Sequence, residues 1–284
     1  MDARLEALRC RLAGLGRVVV AFSGGADSAL LAHQAHAVLG PARAMAVTAV
    51  SPSLAGAELG DCRALARQWG LNYCEVEAHE DQLEGYVANG PDRCWYCKDE
   101  LMRRLAPVAE GFGGAAIALG VNVDDLGDHR PGQRAAAAAG AVFPLVDAGF
   151  TKQEVREASR LLGLRTWDKP AAACLASRVP YGSPVTLGTL ATVGAAEAAL
   201  KAMGFNALRV RHYGELARVE RPIAQLDDAL RRREEVGAAV RSAGYRYVTL
   251  DLEGLRSGNL NGALGDGATR GVPVAFSASE EVAK

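Results

Sequence analysis

Two cysteine segments and one glycine-rich turn carry most of the chemistry open to this sequence. Residues 93–98 read RCWYCK, so Cys94 and Cys97 form a C-x-x-C pair with an indole and a phenol between the thiols. The spacing serves zinc sites, iron–sulfur clusters and dithiol redox sites, and each use needs different company. Zinc wants a second pair, or a fourth ligand such as His79, His129 or His212. A thioredoxin-type site wants the pair at a helix start after a strand. A cluster can be held by three thiolates.

A third thiol lies in ACLASR, residues 173–178. Cys174 shares its long loop with Trp167, Asp168, Lys169 and Arg178. Cations close to a thiol lower its pKa and make it reactive. Cys10, Cys62 and Cys74 fall on helix faces or in a strand and read as packing.

The stretch AFSGGADSALL, residues 21–31, runs from a β-branched strand through Ser-Gly-Gly-Ala-Asp-Ser into a helix. Glycines let backbone N–H groups approach an anion, and the helix aims its positive end at the same place. Ser23 and Ser28 add hydroxyl donors. No G-K-[ST] follows, so this is not a Walker loop. Asp27 suits ordering the turn or holding a metal better than touching phosphate. GVNVDD, residues 120–125, follows a later strand. Asn122 could bind a nucleotide there, and Asp124 and Asp125 could hold Mg²⁺ or simply cap a helix.

The elements that must position these residues alternate. Helix is expected over the first ~20 residues, where Leu5, Leu8, Leu12 and Leu15 recur at helical spacing. Strands are expected at 17–22, 42–50, 71–78 and 115–120, with helices between them, one of them around 97–110. This is the βαβ pattern of a parallel sheet. Thr151 and Glu154 have capping-box spacing at the start of a helix over 149–163. A loop of about 20 residues follows, and loops of that length are usually functional. Beyond it the order is helix (187–203), hairpin through Tyr213 and Gly214, polar helix (222–242) and strand (245–252). The chain thus divides into an α/β unit over 1–169, a small α+β unit over 170–262 and a loose tail over 263–284.

With 284 residues, 49% of them apolar and 23% charged, the chain has ample core. A net charge of −1 argues against a large nonspecific nucleic-acid footprint. The opening MDARLEALRCRL is charged and lacks the apolar core of a signal peptide. No apolar run approaches ~20 residues, so no membrane span is expected. Six cysteines make no disulfide framework, which suits a reducing, cytoplasmic setting.

The S-G-G-x-D-S loop after a buried strand resembles the signature of the PP-loop pyrophosphatases. These have an adenine nucleotide alpha hydrolase-like fold. They use ATP and Mg²⁺ to adenylate a carbonyl or carboxylate and release pyrophosphate. By that resemblance Ser23, Gly24, Gly25, Asp27 and Ser28 bind phosphate, with Asn122 and Asp125 beside them. Together SGGADS, SPS (51–53), RCWYCK, GVNVDDLGDHRPG (120–132), the run 151–182 and RVRHYGELARVE (209–220) resemble one subfamily over about residues 1–255. It is the LarE-type sulfur transferase of nickel-pincer cofactor synthesis.

The resemblance implies a small-molecule nucleotide substrate, pyridinium-3,5-biscarboxylic acid mononucleotide. Its carboxylate is adenylated and then replaced by a thiocarboxylate. In one branch the cysteine matching Cys174 gives up its own sulfur and ends as dehydroalanine. In another, three cysteines hold a 4Fe–4S cluster whose open iron carries the sulfide. The presence of Cys94, Cys97 and Cys174 together points to the cluster branch. Arg209 and Arg211 alternate along a strand and so share a face, which suits a substrate phosphate; two solvent-facing arginines are the plain alternative. Ser177 and Arg178 could hold phosphate or carboxylate, and Trp95 could stack on the pyridinium ring. Glu197 and Asp228 could bind a metal at an oligomer contact, but a solvated helix face is the simpler reading. The resemblance also implies a homo-oligomer and a separate sulfide donor.

Two rivals share parts of this pattern. A tRNA thiolase can combine the loop with three cysteines and a cluster, but should show a basic surface. A nucleotide sensor with a structural metal would bind ATP without releasing pyrophosphate.

Overall fold

A computed structural model describes residues 1–127, 131–170 and 173–256. In chain order the elements are α1 (Asp2–Leu15), β1 (Val18–Ala21), α2 (Ala26–Leu39), β2 (Ala44–Val50), α3 (Gly56–Gln68), β3 (Tyr73–Glu77), α4 (Glu84–Val87), α5 (Arg93–Gly111) and β4 (Ala116–Leu119). They continue with α6 (Pro131–Ala138), α7 (Pro144–Asp147), α8 (Lys152–Leu161), α9 (Leu187–Ala202), β5 (Arg209–Tyr213), β6 (Leu216–Glu220), α10 (Leu226–Arg231), α11 (Arg233–Ser242) and β7 (Tyr247–Leu250). The expected tail and His129 lie outside the described residues.

The first four strands form one parallel sheet in the order β3-β2-β1-β4, the expected α/β architecture. β1 is buried on both faces, as a continuous Val-Val-Val run predicts. Val18 and Val20 pack with Leu8, Leu12, Leu30, Leu31, Phe150 and Val155 from α1, α2 and the α8 side. Val19 faces the other way, onto Val47, Leu105 and Ala109. Chain direction across the sheet reverses between β2 and β4 on either side of β1. Open α/β sheets bind ligands at the carboxyl ends of the strands at such a point.

A second, three-stranded sheet has the order β5-β6-β7, with β5 and β6 antiparallel and β6 and β7 parallel. Val210, Ala217 and Val219 pack against Leu200 of α9 and Val236 and Val240 of α11. The expected polar helix over 222–242 is broken. Arg232 leaves helical geometry (φ −101°, ψ 24°), and its guanidinium donates to the Met203 carbonyl at 3.0 Å. A third apolar cluster ties the halves together: Tyr86 from α4, Leu175, Ala176 and Val179 from the Cys174 turn, and Leu190 and Val193 from α9.

Other departures are local. α5 starts at Arg93, four residues before the expected helix, so the cysteine pair lies in its first turn. Cys10 is exposed on α1 rather than packed, while Cys62 is buried. No helix among the described residues is long and apolar enough to cross a membrane.

The capping box at Thr151 is present in both directions. The Glu154 amide donates to Thr151 Oγ1 at 3.2 Å, and the Thr151 amide donates to Glu154 Oε2 at 2.8 Å. Thr151→Ala is expected to lower unfolding free energy by about 1 kcal/mol. The check is a fall in denaturant midpoint at unchanged slope.

Candidate active site

The phosphate loop sits where the sheet reverses. Gly24 adopts φ +67°, and a Cβ there would lie 3.0 Å from Cys62 Sγ, so no other residue fits without strain. The Ser23 amide and hydroxyl both meet Ser28 Oγ, at 3.2 and 3.1 Å, and Ser28 Oγ donates to the Gly25 carbonyl at 3.2 Å. This curls the backbone so that Ser23 is exposed at the amino end of α2. Gly120, at the end of β4, lets that strand close on the loop. A Cβ at Gly120 would lie 2.6 Å from the Ser28 amide.

Asp27 orders the turn. It accepts from Asn122 Nδ2 at 3.0 Å and pairs with the Lys152 ammonium. Asn122 is buried, and its amide donates to Asp125 Oδ2. Asp124 accepts from the Lys152 amide at 2.8 Å, and its own amide donates to Asn122 Oδ1. The 122–125 segment therefore has the hydrogen bonds of a capped turn, which fix Asn122 beside the phosphate loop.

Two lysines that the sequence reading did not assign to the phosphate site flank it. Lys152 arrives on the first turn of α8. Lys169 donates to the Gly24 carbonyl at 3.1 Å and pairs with Asp61 at 2.6 Å and Glu58 at 2.8 Å. Burial pushes the Lys169 ammonium down, but the bonds to Asp61 and Glu58 outweigh it and hold the pKa above its usual value. Burial likewise pushes Asp61 up, and the bonds from Lys169 and Arg165 reverse this and hold it below the usual carboxylate range. Lys169 thus belongs to the phosphate loop and not, as its place in the sequence suggested, to Cys174.

The two segments that carry the three thiols meet at the same edge of the sheet. The Leu175 amide donates to the Ser53 carbonyl just beyond β2, at 2.9 Å, which seats the Cys174 turn there. Cys94 and Cys97 stand at i and i+3 in the first turn of α5 and so share a helix face. Cys174 and Cys94 both act electrostatically on Cys97, on Arg93 and on Tyr181. Cys94 and Cys174 are exposed, whereas burial pushes the Cys97 thiol up to about 12. Among the described residues, no three His, Cys, Asp or Glu side chains form a group that could hold a metal ion. His212 is turned to Tyr245 at 3.1 Å, and His79 to Glu77.

Asn89 and Arg93 hold the cysteine segments together. Asn89 has no exposed surface and adopts φ 55°. Its Nδ2 donates to the Pro180 and Ser183 carbonyls, both at 2.8 Å, and more weakly to the Val179 carbonyl. Arg93 Nη1 donates to Asn89 Oδ1 at 2.5 Å and to the Ala176 carbonyl at 2.9 Å.

The second sheet closes on the same turn. Arg178 is buried and forks onto Glu197 at 2.8 and 3.1 Å. Its Nη1 donates to the Ala173 and Cys174 carbonyls and to Ser177 Oγ, so it fixes the turn and its charge is met by Glu197. Glu197 is 3% exposed and also accepts from the Val210 amide, so the expected solvated face is overturned. The face is instead packed between the Cys174 turn and β5. Asp228 is half-exposed beside Arg221 and Arg231.

Arg211 is buried as well. It pairs with Glu220 at 2.9 Å and donates to the Ser177 carbonyl at 2.8 Å, so two solvent-facing arginines are excluded. Arg209 is half-buried. Burial and the charges of Arg178 and Arg211 push its guanidinium pKa down. Glu220 and Glu197 offset part of that push. Ser177 Oγ donates to the Cys174 carbonyl at 2.7 Å, and Trp95 is half-buried beside the pair.

Two tests follow from these contacts. Asn89→Ala strands three carbonyls and one guanidinium donor, at about 1–3 kcal/mol for each buried group left unpaired. Unfolding free energy is expected to fall by several kcal/mol, and Cys97 should become open to alkylation in the native protein. Asp61 contributes stability above its unfolded pKa near 3.8, and the contribution disappears as pH falls through its lower folded value. The thermal-midpoint gap between wild type and Asp61→Asn should therefore narrow from about pH 7 to about pH 3.

Comparison with known proteins agrees with this geometry. The NAD synthase family profile matches residues 7–87, the stretch that carries the phosphate loop. An uncharacterized protein of Synechocystis sp. is 44% identical over 266 residues, covering 93% of this chain and 99% of its own. Pyridinium-3,5-bisthiocarboxylic acid mononucleotide synthase of Lactiplantibacillus plantarum is 39% identical over 253 residues, 89% of this chain and 92% of its own. The tRNA-specific 2-thiouridylase MnmA of Rhodospirillum rubrum is 31% identical over 193 residues, but this covers 55% of the chain and 51% of that enzyme. Similarity to a synthase named for a bisthiocarboxylic acid nucleotide thus runs along nearly the whole chain. The chain belongs to the LarE-type ATP-dependent sulfur transferases of the PP-loop superfamily.

Proposed function

We propose that this enzyme adenylates a carboxylate of pyridinium-3,5-biscarboxylic acid mononucleotide and converts it to a thiocarboxylate, with sulfur delivered at Cys94, Cys97 and Cys174. The observation that carries the reading is the seating of the phosphate loop and the thiol-bearing segments at one sheet edge. The near full-length similarity to the Lactiplantibacillus synthase supports the choice of substrate. The half-length match to the thiouridylase and the net charge of −1 argue against a transfer RNA substrate.

The loop amides, Ser23 and Ser28 would hold the pyrophosphate end of ATP, with the positive end of α2 behind them. Mg²⁺ would be carried largely on the phosphates. Lys152 and Lys169 stand on either side, where a cation offsets charge as pyrophosphate forms. The substrate carboxylate attacks the α-phosphorus, pyrophosphate departs, and the ring carbonyl then carries AMP as its leaving group. Sulfur attacks that carbonyl and AMP leaves with the bonding electron pair. Arg209, with Arg211 behind it, would receive the substrate phosphate, and Trp95 would offer a ring face to the pyridinium.

The thiols fit a 4Fe–4S cluster by donor type. Three sulfurs come from two segments that act on one another, with the Glu80 carboxylate also acting on Cys97. Bound there, such a cluster would keep one iron free of protein ligands to carry sulfide. Cys97, held neutral by burial, would give up its proton on ligation. The second reading is sacrificial transfer from Cys174, which its exposure favours. We also propose a homo-oligomer, a separate sulfide donor and the 1–169 and 170–262 division of the chain.

Anaerobic purification with iron and sulfide analysis, followed by turnover and intact mass, decides between the two readings. The cluster reading predicts bound iron, more than one product per chain and an unchanged polypeptide mass. Loss of the mass of H₂S from an iron-free chain would establish sacrifice instead. Cys94→Ala should abolish repeated turnover if a cluster is used, and leave one transfer per chain if it is not.

A further inference from the structure

The peptide that joins Gly24 to Gly25 lies in the middle of the phosphate loop. Gly24 is buried, and its carbonyl accepts from the Lys169 ammonium at 3.1 Å. A buried carbonyl needs such a donor. A trans peptide is planar, so its C=O and the N–H that follows point in opposite directions. No described peptide bond is cis. With the Gly24 oxygen turned to Lys169, the Gly25 N–H therefore faces away from Lys169. Gly25 stands at the amino end of α2 and is partly exposed. Its amide meets no acceptor among the described residues.

The two lysines beside the loop are held differently. Lys169 donates to the Gly24 carbonyl and to Asp61 Oδ2 at 2.6 Å, and Glu58 adds an ion pair at 2.8 Å. An ammonium has three N–H donors, and three oxygens surround this one. Two carboxylates thus answer its single charge. The backbone beneath it is fixed as well. Arg156 donates to the Lys169 carbonyl at 3.0 Å, and the Lys169 amide donates to the Thr166 carbonyl at 3.2 Å. The Lys169 side chain is 15% exposed, against 34% for Lys152. Lys152 pairs with one carboxylate, Asp27, which leaves its ammonium with donors for a ligand.

We propose that Lys169 is a positioning residue for adenylation: it holds the Gly24 carbonyl so that the Gly25 N–H donates to the pyrophosphate end of ATP, and it does not bind the phosphate itself. Lys152 is the lysine that turns from Asp27 to the anion. Glu58 and Asp61 keep the Lys169 ammonium on the Gly24 carbonyl whether or not ATP is present. A peptide held from behind aims its dipole at the charge before the nucleotide arrives. No reorganisation is then needed as the bond to pyrophosphate breaks, which is where fixed dipoles help most. The inference rests on the reading that this loop holds the pyrophosphate end of ATP.

The test uses full-length protein and magnesium pyrophosphate, followed by NMR in two arms. In the first, lysine is labelled with ¹³C at Cε, and the two resonances are assigned by their loss in Lys152→Arg and Lys169→Arg. Magnesium pyrophosphate added to wild type should move the Lys152 resonance and leave that of Lys169 in place. A Lys169 resonance that moves as far as that of Lys152 overturns the proposal. In the second arm, glycine is labelled with ¹⁵N and Lys169→Met is titrated with the same ligand. Its dissociation constant should rise about tenfold, as loss of one hydrogen bond to a charged group gives. At saturation the Gly25 amide should also lose the shift that it shows in wild type.

An unchanged dissociation constant in Lys169→Met overturns the proposal. So does a weaker complex in which the Gly25 amide still shifts as in wild type, because Lys169 would then act by charge alone. Lys169→Met can fail to fold, since it leaves Glu58 without its cation. The first arm then decides by itself, because it is read on wild type. Magnesium pyrophosphate that moves neither lysine nor the Gly25 amide would refute the phosphate-loop reading, and this inference with it. Movement of Lys169 together with Lys152 would refute this inference and leave that reading standing.

Discussion

The buried amide of Asn89 joins two segments about ninety residues apart, and the chemistry of the protein depends on that junction. On one side is the first turn of α5 with Cys94 and Cys97. On the other is the turn that carries Cys174. Thiols on separate loops drift, and a sulfur site assembled from them would be entropically weak. The positive φ at Asn89 gives its amide the reach to meet three carbonyls at once. Arg93 adds the link to Ala176.

The junction is itself mounted on the nucleotide-binding frame. The Cys174 turn hangs from Ser53 beyond β2, and five residues upstream of Cys174 the Lys169 ammonium is bound to Gly24 of the phosphate loop. From the other side Arg178 and Arg211 of the second half hold the Cys174 and Ser177 carbonyls. The phosphate loop and the Cys174 turn are therefore held by residues only five positions apart in sequence. Orientation of this kind is a large part of catalysis when two reactive groups must meet at one carbonyl.

The sheet and the phosphate loop were legible because their causes are local. A buried Val-Val-Val strand, glycines at a strand-to-helix turn and a capping box each need only a few neighbouring residues. α4, α6 and α7 were missed because they are short, with four, eight and four residues. The start of α5 was misjudged by four residues because Asp92 caps it without a side-chain hydrogen bond. Lys152, Lys169, Asn89 and Arg93 act across 80 to 150 residues of sequence, and nothing in their surroundings announces it. Glu197 did leave a signal. It is the lone acid in a helix that is apolar nearly all round, and such a helix is buried.

Charge explains why the two ends of the site behave differently. Around the phosphate loop each cation has a carboxylate, so the site stays stable before ATP enters with its own negative charge. At the thiols the buried Arg93 is met by neutral oxygens. Crystals of anaerobically reconstituted protein, measured at the iron absorption edge, address the central claim most directly. The account predicts one compact iron peak bordered by Cys94, Cys97 and Cys174. Iron bound elsewhere, or a reconstituted crystal without iron at these thiols, would contradict it.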